Sequence, residues 1–334
     1  MMISVSRRPR WGGRWVWTMG VLLTIAACAG PGETLQENAS DNAFTETLND
    51  VYFINASEGW IVGNNGTLLH TRNGGANWFS ETSGTTRDLR AVRFVNSNTG
   101  WAVGDDGTIL QTINSGLGWM RQSGGTSNRL NGVFFQKNDT KVGWAVGDGG
   151  TILHTSDGGF SWTTQIGAGN RTLRDVFFRD LDHGWITGDD GLILYTDTGT
   201  RGALWNAQLS GTARSLNAVY WNGAAVWAAG DGGVILKTTN EGVSWIRGPQ
   251  TTAAGGLTDI KFYGVNNGWI SGEGGIILQT TNGGMFWVAR PTRTDATLRS
   301  VHFINDRTGW AVGDNGTILA TADGGIFWIK QFKR

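Results

Sequence analysis

The sequence predicts an all-β protein, a seven-bladed β-propeller of four-stranded antiparallel blades. Three observations carry that expectation. A Trp recurs at Trp60, Trp101, Trp144, Trp185, Trp227, Trp269 and Trp310, so that neighbours lie 41, 43, 41, 42, 42 and 41 residues apart. A second Trp follows at Trp78, Trp119, Trp162, Trp205, Trp245, Trp287 and Trp328, 18 residues on in every copy except the fourth, where the gap is 20. No window outside the N-terminal segment shows the i, i+3, i+4, i+7 pattern of an amphipathic helix. A period of about 40 residues with strand-like content marks a ring of repeats.

The second copy shows what one repeat contains. Leu89, Val92 and Phe94 lie in a first strand, LRAVRF, with Val92 and Phe94 at period 2. Asn96 to Thr99 read as a turn, and Trp101 and Val103 begin a second strand. Asp105-Asp106-Gly107 is a turn signal, because Asp and Gly tolerate the positive φ of a tight hairpin. Thr108 to Thr112 is a third strand of β-branched and apolar residues. Asn114-Ser115-Gly116 turns the chain again before a fourth strand, Trp119 to Gln122. Four short antiparallel strands make one blade, which buries its faces only by stacking on two neighbours in a closed ring. The paired Trp residues suit that packing, each burying roughly 150–250 Å².

The turn between strands three and four repeats as Thr71-x-Asn73-x-Gly75-x-x-Trp78, Thr112-x-Asn114-x-Gly116-x-x-Trp119 and Thr155-x-Asp157-x-Gly159-x-x-Trp162, and again at Thr238, Thr280 and Thr321. The fourth copy has Thr198 in place of the Asp or Asn and two extra residues. This resembles the Asp-box, a hairpin motif of sialidases, sortilin-type receptors, some glycanases and photosystem II assembly propellers. Its side chain accepts backbone N–H bonds, its Gly takes positive φ and its Trp covers the turn. The box residues are therefore read as structural rather than as catalytic acids or metal ligands.

The first 27 residues differ in kind and read as a lipoprotein signal peptide. Arg7, Arg8, Arg10 and Arg14 precede an apolar stretch from Trp15 to Ala27, too short for an ordinary membrane span. It ends Ile25-Ala26-Ala27-Cys28, which resembles a bacterial lipobox, and Cys28 is the single cysteine. Cys28 is thus the expected lipid acceptor, on an exported protein with no internal disulfide. Residues 28–47, rich in Gly, Ser, Asn, Asp and Thr, read as a flexible tether, and residues 48–334 as the propeller. The last repeat keeps its outer segment, Trp328 to Phe332, so the ring is expected to close without a borrowed strand, the alternative being that Phe44 to Thr47 pair at the seam.

In this strand order the loops before strand one and the turns after strand two share a face. The former carry Arg87, Arg90, Arg129, Arg171, Arg174, Arg214, Arg293 and Arg299. The latter carry Asp105, Asp106, Asp148, Asp189, Asp190, Asp231, Glu273 and Asp314. Two readings stand side by side: mutual compensation of solvated charges, or a docking face whose guanidinium forks meet carboxylates on a partner. The formal charge of +0 points to no polyanion partner, and nucleic acid is not expected. His70 and His154 share one repeat position, filled elsewhere by Gln, Tyr, Lys or Ala, which reads as a strand surface position. No metal-ligand, nucleophile or phosphate-loop spacing is present, so no catalytic residue, metal or cofactor is expected.

Two phrases, LNDVYFINASEGWIVGNNGTLLHTRNGGANW (Leu48–Trp78) and LRSVHFINDRTGWAVGDNGTILATADGGIFW (Leu298–Trp328), resemble the YCF48/HCF136 family. The resemblance implies a seven-bladed, lipid-anchored, non-enzymatic assembly or stability factor that contacts a photosystem II client through an arginine-rich face. By position, Arg87, Arg90, Arg129, Arg171, Arg174, Arg214 and Arg299 are the residues it singles out here. The alternative is an exported Asp-box propeller that binds or hydrolyses carbohydrate, which would need a cleft with two convergent carboxylates.

Overall fold

The computed structural model describes residues 44–136, 139–167, 169–200, 204–249 and 255–331. They form seven four-stranded antiparallel sheets, each built from consecutive strands in the order one to four. The innermost strands are Leu48–Phe53, Leu89–Phe94, Leu130–Phe135, Leu173–Phe178, Leu216–Trp221, Leu257–Tyr263 and Leu298–Phe303. The expected seven-bladed propeller is what the chain adopts. Among the described residues no helix is long and apolar enough to cross a membrane.

The core is a series of layers between neighbouring blades. Trp60, Val62 and Leu68 of blade one meet Leu89, Val92, Phe94 and Leu110 of blade two, and equivalent clusters follow around the ring. In six of the seven interfaces the first Trp of a blade stacks on the strand-one Phe of the next, with centroids 3.5 Å apart for Trp60/Phe94 and Trp101/Phe135, while blade five carries Trp221 in place of that Phe. The second Trp meets the same Phe edge-on, as in Phe94/Trp119 at 5.9 Å. The Trp101 Nε1–H donates to Gly158 O of the next blade's box at 3.1 Å. At about 25 cal/mol per Å² each Trp contributes several kcal/mol.

The boxes are built as expected. Asp157 Oδ1 accepts from the Ser161 N–H at 2.9 Å and from Thr155 Oγ1 at 2.8 Å, while Gly159 sits at φ +93°. Hydrogen bonds from the Ser161 side chain and backbone hold the Asp157 carboxyl down to about 2. Among the described residues the fourth copy keeps the Thr198 N–H to Thr196 Oγ1 contact of this set, at 3.2 Å.

Among the described residues the ring closes with no exchanged strand, and Phe44 to Thr47 do not pair as one. Gly316 N–H donates to Glu46 O at 3.0 Å, as Gly107 N–H donates to Asn128 O and Gly150 N–H to Arg171 O within the ring. Trp310 stacks on Phe53 across the seam at 3.4 Å. The two equivalent histidines correct an expectation. His70 and His154 are buried, not on a strand surface, because neighbouring blades cover both faces of strand three. His70 lies 4.9 Å from the Trp60 ring, and burial lowers it to about 4. Cys28, the signal segment and Phe332 lie outside the described residues.

Candidate functional site

Each innermost strand begins with a buried Leu and then a β-bulge. In blade two the register shifts between Leu89 and Ala91, and the same shift occurs in all seven blades. A bulge re-aims the extra side chain. Here it carries Asn49, Arg90, Asn131, Arg174, Asn217, Thr258 and Arg299 to the mouth of the central channel, where all seven line one polar cavity.

These mouth residues do two kinds of work. Asn49, Asn131 and Asn217 each donate to the Leu carbonyl of the next blade at 2.8 Å and to the first side chain of their own turn after strand two, Asn64, Asp148 and Asp231. Arg90, Arg174 and Arg299 instead bind the turn acid of their own blade, Asp105 at 3.0 Å, Asp189 at 2.6 Å and Asp314 at 2.6 Å. At the loop tips Arg87 pairs with Asp106 at 2.8 Å, and Arg129 reaches Asp105 at 3.1 Å and Asp148 at 3.8 Å. Burial tends to raise Asp105, but Arg90 and Arg129 outweigh it and hold the carboxyl below its usual range. Arg171 and Arg214 are exposed and make no ion pair with any described residue. The seven arginines therefore do share one face. Five of them are tied to acids of the same face and two project free, on the adjacent blades four and five.

Below the mouth lies a second ring that inspection of the sequence missed. Asp50, Asp175 and Asp259 point into the channel and each staples its blade to the next. Asp50 accepts from Val92 N–H at 2.8 Å, Asp175 from Val219 N–H at 2.9 Å and Asp259 from Val301 N–H at 3.0 Å. Ser300 Oγ bridges Asp50 and Asp259 across the seam. Burial pushes Asp50 and Asp175 up to about 6, despite the pull of Lys261. One ring deeper stand Tyr52, Arg93, Phe134, Phe177, Tyr220, Lys261 and His302. Lys261 pairs with Asp259, and burial would lower it, but Asp259, Asp175 and Asp50 together raise it. Burial, then Lys261 and Arg93, lower His302 to about 3. The signal was available: these positions break the uniformity of repeats that elsewhere match residue for residue.

Chemically, the loop face offers charged forks on a rigid ring. The channel acids are committed to backbone N–H groups of neighbouring blades. Among the described residues no group of His, Cys, Asp and Glu is placed to hold a metal ion.

The model of the photosynthesis system II assembly factor YCF48 family matches residues 31–121, 83–171, 165–256 and 250–331. A solved structure of YCF48 bound to a D1 peptide is 20% identical, with a TM-score of 0.68 over 84% of this chain and 92% of that one. YCF48 from Cyanidioschyzon merolae is likewise 20% identical, with a TM-score of 0.68 over 83% of this chain and 96% of the other. A GH74 enzyme from Niastella koreensis shares 14% identity and a TM-score of 0.68, covering 86% of this chain and 54% of the enzyme. No curated protein matches the sequence.

Proposed function

This chain belongs to the photosystem II assembly factor YCF48 family, and on that premise we propose that it is a non-catalytic, membrane-tethered scaffold that holds a membrane-protein client against its arginine-bearing face. One observation carries the reading: seven arginines converge on one face of a closed, rigid ring, with Arg171 and Arg214 exposed and free of any acid among the described residues. A guanidinium fork with no intramolecular partner is ready to meet a carboxylate bidentately. The YCF48 structure with a bound D1 peptide supports a photosystem II membrane protein as the client. The lipobox-like end of the signal segment supports tethering through Cys28, with the ring on the exported side of the membrane.

The test is a pull-down from detergent-solubilised membranes with the wild-type protein and an Arg171→Glu/Arg214→Glu variant. Rim charges act mainly on association rate and salt dependence, so capture should fall steeply in the variant and weaken in the wild type as salt rises. Undiminished capture would dismiss this face as the docking surface. Saturable glycan binding retained by both proteins would favour the carbohydrate-binding alternative, which the GH74 likeness supports at the level of fold only. For the tether, Cys28→Ser should release the folded ring from membranes, because the lipid supplies most of the affinity. Equal membrane recovery of both proteins, with no incorporated acyl label, would sink the lipid anchor.

A further inference from the structure

The channel has a second mouth, on the box face, opposite the arginines of the proposed docking surface. A cavity of about 350 Å³ opens there, bordered by Arg93, Phe134, Gln136, Phe177, Tyr220 and Asn222. That volume lies in the range of small-molecule sites. Its wall is lopsided. Phe134, Phe177 and Tyr220 of blades three to five stand in contact, with centroids 5.2 Å and 4.8 Å apart, and form a continuous aromatic surface. Arg93 stands at one end, its guanidinium carbon 4.9 Å from the Phe134 centroid and 5.2 Å from that of Tyr52.

Arg93 is the odd cation of the channel. Lys261 is paired with Asp259, whereas Arg93 makes no ion pair with any described residue, and its Nε is buried without a hydrogen-bond acceptor. Leaving such a group unmatched is costly, and an aromatic shelf ending in an unpaired fork has an obvious complement. We propose that this mouth binds a carboxylate carried on a flat apolar body, the carboxylate taken by the Arg93 fork and the body lying along Phe177 and Tyr220. Offset ring contacts supply the apolar part, and a half-buried Arg–carboxylate pair supplies orientation. The channel acids stand one ring further in, with Lys261 and Arg93 between them and the mouth, so an incoming anion meets cations first.

Phenylacetate is a suitable probe, with phenylacetamide as its neutral isostere, titrated against the full-length protein by calorimetry and by saturation-transfer NMR. Wild-type protein should bind phenylacetate saturably and the amide at least about tenfold more weakly, a difference of about 1.4 kcal/mol. Arg93→Gln should lose at least about tenfold in phenylacetate affinity while melting cooperatively. Arg171→Glu/Arg214→Glu should bind phenylacetate as the wild type does, which separates this site from the docking face. Gly-Gly-Phe with a free terminus, compared with its amidated form, distinguishes a chain terminus from a free small acid as the source of the carboxylate. Absence of saturable binding at about 10 mM phenylacetate would overturn the proposal. So would equal affinity for the acid and the amide, a comparison that needs no variant.

Discussion

The two sides of each innermost strand are made from adjacent residues and meet different demands. Away from the channel, Leu, Val and Phe recur almost without change, and each Phe is held between two Trp rings. Toward the channel, the same strands carry Asp, Ala, Gly or Ser in one ring and Tyr, Arg, Phe, Lys or His in the next. The packed side repeats because every blade must fit an identical neighbour at close-packed density. The channel side does not pack against a repeated blade face, so its residues are free to differ and to carry charge. In a repeat ring, uniformity therefore reports the fold, and departures from it report what the individual protein does with its axis.

Substitutions on the two sides should separate cleanly. The largest effect belongs to the packed side. Trp101→Ala removes a buried ring, a stack on Phe135 and a bond to Gly158 O, and should cost about 3–5 kcal/mol in chemical denaturation. A cost below about 1 kcal/mol would mean the blades do not depend on the Trp layer.

On the channel side the effect should be smaller and dependent on pH. Folded Asp175 stays protonated up to about 6, whereas an unfolded Asp ionises near pH 4. The folded ring binds the extra proton between those values, so this group's contribution to stability falls as pH rises from about 4 to about 6 and is constant above. At about 1.4 kcal/mol per unit the total is at most about 3 kcal/mol. The stability of wild type relative to Asp175→Asn should therefore decline across that window in urea titrations. A difference independent of pH would place Asp175 in a water-like setting. His302 acts in the opposite sense. Its proton affinity is depressed, so its contribution is lost as pH falls from about 6.5 towards 3, and that loss is common to both proteins.

A box turn should matter less. Asp157→Ala deletes an acceptor at an exposed hairpin and should cost roughly 0.5–2 kcal/mol, by analogy with lost helix caps. An equal cost for Asp157→Ala and Trp101→Ala would erase the contrast between turn and interface. The smallest change is expected for Arg171→Glu/Arg214→Glu, which breaks no ion pair among the described residues and should move the melting point little. Arg174→Glu, which sets a carboxylate against Asp189, should cost more, up to about 1 kcal/mol.

Much of this was legible in the chain itself. The Trp spacing, the box hairpins and the shared face of loop arginines all follow from local periodicity. The bulge was half legible: Leu89 precedes Val92 by three residues and Val92 precedes Phe94 by two, a break in the period-2 pattern. Read as a plain strand, it hides the reason Arg90 turns to the mouth. The burial of His70 was misjudged because a variable position was equated with an exposed one. In a stacked ring, a side chain can be both variable and covered.

By itself the sequence determined the number of blades, their strand order, the structural part played by the Trp residues and boxes, and which face holds the arginines. Each depends on residues close in the chain, recurring at a fixed period. Only the tertiary structure decided which arginines stand free, that Asp50, Asp175 and Asp259 tie blades together, and that Arg93 meets an aromatic shelf from three other blades. Those contacts join residues about 40 or more positions apart. Their partners are set by closure of the ring, which brings seven strands to one axis and buries their charges close to one another.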